Sequence, residues 1–220
     1  MFGTSGLMSS GIRPNLNGLT VSNGHSIASP SGPLKLTSVT SARSNYSGQT
    51  YSPRAIQEMI VRESIKAGVN PRVMLMKVDI ETGGTFDPWA RNSKTNASGL
   101  SQIMPANFGK YRLNGSNVFD PVSNIRAGIA HHQADVNYFR SKMGRNPTDS
   151  ETYLLHQQGM AGATALLRKP TMLASEALKP FYKPGVNVKA VTQNGGQAHW
   201  TSAQFTSMWI NQANKRLNKF

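Results

Sequence analysis

The chain has 220 residues, enough for one well-buried domain with tails, and no cysteine, which excludes disulfides and thiolate metal sites. Twenty-four Lys and Arg stand against ten Asp and Glu, a net charge of +14 that attracts nucleic acid, anionic wall polymers and lipid head groups without choosing among them. No apolar run is long enough to span a bilayer, and Met1-Phe2-Gly3-Thr4-Ser5 lacks the basic region and apolar core of a secretory signal.

Residues 1–50 read as a flexible basic arm. Gly, Ser, Thr and Pro make up 26 of them, there is no acid, and the only aromatics are Phe2 and Tyr46. Such a stretch buries too little apolar surface to offset its ordering entropy. From residue 51 the pattern turns helical. Ser52-Pro53 is an N-cap with proline at the first helical position, followed by Ile56, Met59 and Ile60 on one face. Asn70-Pro71 repeats the signal and opens a helix with Val73, Met74, Leu75, Val78 and Ile80, apolar nearly all round and therefore expected to be central. Gly83-Gly84 ends it. Asp120-Pro121 starts a longer helix whose stripe runs Ile125, Ile129, His132, Val136, Phe139, Met143. Thr148-x-x-Glu151 forms a capping box before Leu154 and Leu155, and Thr201-x-x-Gln204 another before Phe205, Met208 and Trp209. No segment alternates with period two. The expected fold is all-α: one domain over residues 51–220, ending in a basic helical extension where eight Lys and Arg meet one acid over residues 160–220.

Carboxylates are scarce. Glu58, Glu63 and Glu151 read as solvated helical positions, Asp120 and Asp149 as caps, and Asp87 as a turn residue. Glu81 differs, at the last turn of the most apolar helix beside a glycine pair. Burial and the negative end of the helix dipole both disfavour its charged form, which is what a general acid near neutral pH requires. The position alone more often belongs to an exposed glutamate with no chemical role. His131 and His132 lack an Asp/Glu cluster at ligand spacing, which argues against zinc, and His132 on the apolar stripe reads as a satisfied core histidine. Trp89, Trp200 and Trp209 suit either sugar stacking or core packing, the commoner fate.

Glu81-Thr82-Gly83-Gly84-Thr85-Phe86-Asp87-Pro88 leads into Asn96-Ala97-Ser98-Gly99-Leu100-Ser101-Gln102-Ile103-Met104-Pro105, and then Phe119-Asp120-Pro121 and Asn124-Ile125-x-x-Gly128. In order and spacing this resembles the soluble lytic transglycosylase domain, the glycoside hydrolase family 23 group related to goose-type lysozyme. There the pattern is Glu-Ser, Phe-x-Pro, then Gly-Ala-x-Gly-Leu-Met-Gln-x-Met-Pro. The resemblance covers about residues 53–165 and implies a lysozyme-like fold. Tyr153-Leu154-Leu155-His156-Gln157-Gln158-Gly159 stands where many members have Ala-Tyr-Asn-x-Gly. With the tail from Asn194 to Phe205, this block looks like bacteriophage and prophage versions. Thr82 stands for serine, Phe86 lies two residues further from the acid, Asn96 stands for glycine, Ser101 for methionine and His156 for tyrosine.

The resemblance implies Glu81 as the catalytic acid and then base, with Thr82, Ser98, Gln102, Met104, His156, Gln157 and Gln158 as substrate-binding residues. It implies peptidoglycan glycan strands as substrate, cleavage between N-acetylmuramic acid and N-acetylglucosamine with a 1,6-anhydro product, and no metal or cofactor. Such a protein is expected in a phage virion or the host cytoplasm until release, acting at the wall, its arm free to meet other virion proteins or DNA. Read alone, Gln157 and Gln158 equally suit solvent-facing positions. Two alternatives stand beside this reading: a hydrolytic muramidase on the same fold, and a virion structural or DNA-escort protein with a vestigial site.

Overall fold

The computed structural model describes residues 50–93, 95–111 and 116–220. The expected arm over residues 1–50 lies outside the described residues, Thr50 excepted. The described chain is mainly helical, with only isolated bridges of β type: Arg91 with Ser98, Ser98 with Ile103, and Leu173 with Thr201.

Helix α1 is Pro53–Lys66, and the Ser52 side chain caps it by accepting from the Ala55 amide. Helix α2 is Pro71–Glu81, capped by Asn70. Every residue from Val73 to Asp79 is buried, so α2 is central as its composition predicts. Gly83 and Gly84 end it with φ of 62° and 86°, and the Gly84 amide reaches back to the Asp79 carbonyl at 2.7 Å. Helix α3 is Pro105–Tyr111 and α4 is Pro121–Met143, the latter capped by Asp120 and closed by Gly144 at φ 70°. Along α4 the predicted stripe is buried at Ile125, Ile129, His132 and Phe139 and half-buried at Val136 and Met143.

Helix α5 is Glu151–Arg168, broken at Gly159. Thr148 and Glu151 exchange both bonds of the capping box: the Glu151 amide donates to Thr148 Oγ1 and the Thr148 amide to Glu151 Oε2. Short α6 (Ala174–Leu178), a 3₁₀ turn (Lys179–Phe181) and α7 (Val186–Thr192) lead to α8, Ser202–Leu217, with its Thr201/Gln204 capping box formed. Helices α3, α6 and α7 run seven, five and seven residues, too short for a helical period to recur in the sequence.

Two large apolar clusters meet at α2. On one side Val73 and Met76 join Phe139, Tyr153, Leu154 and Leu155 with the inner faces of α6, α7 and α8. On the other, Met74, Leu75 and Val78 join Ile56 and Ile60 of α1, Phe86, Leu100, and Ile125 and Ile129 of α4. Asp79 is fixed by Arg216 of α8 at 2.7 Å and by Lys219 just past its end at 3.4 Å, and Arg72 donates to the Leu217 carbonyl. The C-terminal helix is thus fastened along the length of α2.

Three expected carboxylate placements are corrected. Glu63 is buried against Arg62, Lys66 and Arg126, and Glu151 is buried in a two-pronged pair with Arg145. Both sit on helix faces that look polar in sequence, but arginines distant in the chain or in the preceding turn cover them. Asp149 caps nothing with its side chain; it accepts from the Asn70 amide at 3.0 Å and ties the start of α2 to the start of α5.

Candidate active site

Glu81 is the last residue of α2, and its side chain is only 5% exposed. It lines a small cavity with Lys77 of the same helix, Ser101 of the motif loop, Gly128 and His131 of α4, and His156 of α5. Among the described residues Glu81 is the one carboxylate in that wall. Its Oε1 accepts from Gln157 Nε2 at 2.8 Å and from the Tyr153 hydroxyl at 3.1 Å, while His156 Nε2 stands 3.4 Å away. Gln157 Nε2 also reaches the Tyr153 oxygen at 2.8 Å, so the three groups close on one another. Burial, then the negative charge of Glu81, raises the Tyr153 phenol well above its ordinary 10, which keeps it a donor across the working pH range.

Residues 82–93 and 95–104 belong to the loop that brings Ser101 to this cavity. Thr82 Oγ1 donates to the Val78 carbonyl and accepts from the Phe86 amide, closing the turn between the acid and Phe86. Phe86 is buried at φ 54° and meets Phe220 edge-on. Asn96 has φ 58°, a conformation asparagine tolerates better than most residues. Asn124 of α4 clips the loop from behind: its Oδ1 accepts from the Ser101 amide at 2.8 Å, and its Nδ2 donates to the carbonyls of Ser98 and Val118. Gly99 sits against that side chain, and Gly128 against Ser101 Oγ, so close that a Cβ at either would collide. The Asn124-Ile125-x-x-Gly128 block therefore holds the loop against α4.

Of the expected site residues, the fold gathers Glu81, His156 and Gln157. Thr82, Ser98, Gln102 and Met104 stay outside the cavity wall. Ser98 Oγ donates to the Asn96 carbonyl, and buried Gln102, at φ 42°, gives its Nε2 to the carbonyls of Ala90 and Gly99. Met104 is half-buried just before α3. Gln158 is buried, not solvent-facing, and neither polar atom of its side chain has a hydrogen-bond partner. Gln157 is buried too.

Several groups at the site were not anticipated. Tyr153 provides a phenol one turn before His156, at a position with no counterpart in the motif. Lys77, 5% exposed, donates to His132 Nδ1 at 3.2 Å. An ammonium cannot accept, so this bond fixes the proton of neutral His132 on Nε2. His132 is the satisfied core histidine expected. Burial holds it well below its ordinary range, and burial followed by the charges of His156, Lys77 and Lys110 holds His131 down to about 3. His131 has one acidic neighbour: Asp135, one turn on, lies 3.7 Å from its Nε2. The signal was the i, i+4 spacing of His131 and Asp135 on a helix already assigned. For Lys77 it was a charge set between Met76 and Val78 on the most apolar helix, four residues before the acid. Among the described residues no group of three or more His, Asp or Glu is arranged to hold a metal ion. Trp209 is buried against Tyr153, Trp200 packs at the edge of the same core, and Trp89 is exposed and stacked on Phe119 at 5.5 Å.

Residues 58–147 match the family model described as the transglycosylase SLT domain. The match takes in Glu81, the motif loop and α4, and stops before Tyr153, His156 and Gln157, the α5 residues gathered around the acid. No curated protein matches the sequence. No helix among the described residues is long and apolar enough to cross a membrane.

Proposed function

We propose that this chain is a peptidoglycan lytic transglycosylase in which Glu81 serves first as acid and then as base. The Glu81 carboxyl gives its proton to the glycosidic oxygen between N-acetylmuramic acid and N-acetylglucosamine as the C1–O bond breaks. The carbonyl oxygen of the sugar's own 2-acetamido group bonds to C1. Glu81, now a carboxylate, removes the proton from the C6 hydroxyl, and that oxygen displaces the acetamido oxygen at C1. The product is a 1,6-anhydro sugar, Glu81 regains its proton, and no water is consumed.

One observation carries this reading. Glu81 is the sole carboxylate in the cavity wall among the described residues, with one oxygen held by Tyr153 and Gln157. Glycosidases that work through paired carboxylates need a second acid across the bond, and a single-acid route suits this wall. The SLT match over residues 58–147 supports the substrate class. His156 and Gln157 are positioned to meet the glycan beside the acid. We assign Thr82, Ser98, Gln102 and Met104 to shaping the loop under the glycan, and Gln158 to the same subsite as its neighbours. The likeness of His156-Gln157-Gln158-Gly159 to phage versions supports a role in local wall degradation during infection or lysis.

Zymography on purified murein tests the assignment. Glu81→Gln is expected to lose nearly all clearing with an unchanged circular dichroism spectrum, and retained clearing would sink the proposal. Mass spectrometry of the released fragments reads the outcome at C1, since anhydro ends are one water lighter than hydrolytic ends. Detection of the chain in purified virions tests the phage setting.

A further inference from the structure

Helix α2 carries a second ionisable side chain to the same cavity, one turn before the acid. Lys77 lies four residues ahead of Glu81, is 5% exposed, and shares the cavity wall with it. Its one hydrogen bond among the described residues goes to His132. Asp135 of α4 is 1% exposed; one of its carboxylate oxygens has no hydrogen-bond partner and the other faces His131 at 3.7 Å. Two opposite charges are therefore buried near each other without a direct ion pair, Lys77 in the wall that holds the acid and Asp135 behind it, an arrangement that apolar side chains of the same volume often replace with no loss of stability. Packing gives no reason for them, since Met74 and Met76 show that α2 accommodates methionine at neighbouring buried positions.

Around Lys77 stand Glu81 on α2, His131, His132 and Asp135 on α4, His156 on α5, and the Ser101 hydroxyl from the loop, which has no hydrogen-bond partner. Tyr153 of α5 bonds to Glu81, Lys110 of α3 acts on Asp135, and Arg216 of α8 is paired with Asp79. His131 and His132 are held neutral, and Tyr153 is held as the phenol. Neither histidine can supply positive charge near neutral pH; Lys77 can.

We propose that Lys77 is a positioning residue for the acid: its buried ammonium, backed by Asp135, stabilises the carboxylate that Glu81 becomes when its proton leaves for the glycosidic oxygen. The inference rests on Glu81 being the acid. Burial pulls Lys77 down to about 8 against the opposing charges of Asp135 and Glu81. Burial pushes Asp135 up to about 6 against Lys77, His156 and Lys110. Ammonium and carboxylate coexist between those two values, so the arrangement is complete near neutral pH and lapses on either side.

The test is a set of kcat against pH profiles on soluble glycan-strand fragments for wild type, Lys77→Met, Lys77→Met/Asp135→Asn and Glu81→Gln, with melting temperatures for each. Wild type is expected to lose kcat as pH rises through about 8. Lys77→Met is expected to lose about tenfold or more in kcat at neutral pH, with KM little changed and that alkaline limb gone. Removing Asp135 as well relieves the unpaired buried carboxylate. The double variant should melt no lower than wild type yet remain as slow as Lys77→Met. A purely structural lysine predicts the reverse, with kcat per folded molecule and the alkaline limb as in wild type, and that result overturns the proposal. So does a slow Lys77→Met enzyme that keeps the limb. Activity in Glu81→Gln would instead overturn the acid assignment, an outcome read from a different variant.

Discussion

The carboxyl group of Glu81 is held by two neutral donors whose positions follow from helix geometry. Tyr153 and Gln157 are four apart on α5, so both side chains project from one face to the same oxygen. Tyr153, one turn before His156, brings a phenol to the acid. Tyr153→Phe keeps the ring against Trp209 and removes only the hydroxyl. The expected result is a fall in kcat of about tenfold to a hundredfold, the range of a hydrogen bond to a charged group. Steady-state kinetics check this, and an unchanged kcat would show that Gln157 alone suffices. In the sequence Glu81 stood out by its helix end and glycine pair, whereas Tyr153 did not, because nothing local says which face of α5 turns toward α2.

Among the elements, α5 is the one whose irregularity touches chemistry. Gly159 interrupts it at φ 67° and ψ 154°, a conformation nearly closed to residues with a Cβ. A Cβ there would meet no atom within 4 Å, so the constraint is conformational and not steric. Gly159→Ala is therefore expected to cost about 1–3 kcal/mol of stability. It should also reduce activity more than that loss explains, because relaxing the break re-aims Gln157 and Gln158. Urea titration and kcat measured on the same preparation separate the two effects. The capping signals that opened α1, α2, α4, α5 and α8 were all legible, since a cap is a contact between residues three apart. The loop from Thr82 to Met104 was legible only as a motif. Its shape depends on Asn124, held more than twenty residues away on another helix.

Over the whole molecule, two buried carboxylates of structural use and a third, Asp135 near Lys77, pull stability in opposite directions with pH. Burial alone would raise Glu63 and Glu151. Hydrogen bonds from Arg126, Lys66 and Arg62 to the first, and from Arg145 and Thr148 to the second, outweigh it, and both lie below the ordinary 4.5. Their contribution is present above 4.5 and is lost as pH falls through the lowered folded-state values. Asp135 has the opposite sign: raised from 3.8 to about 6, it favours the folded state while protonated and withdraws that contribution as pH rises between those values. Urea unfolding followed from pH 6 down to 3 should show stability falling in the lower part of that range. Glu151→Gln should flatten the fall, and an unchanged slope would contradict the role given to the Arg145 pair.

The sequence by itself determined the five longer helices and where they start, the all-α class, and Glu81 as the carboxylate to watch, because capping, periodicity and a helix terminus are written within a few residues of one another. It also carried the loop motif, though not the reason for it. Only the tertiary structure decided what surrounds the acid. Tyr153, Gln157 and His156 reach Glu81 from more than seventy positions away, and Lys77 becomes a buried charge only when α4 and α5 close over α2. The same holds for Glu63 and Glu151, which read as solvated until arginines covered them. Burial is a property of the packed molecule, and the charge and proton chemistry of this site depends on burial.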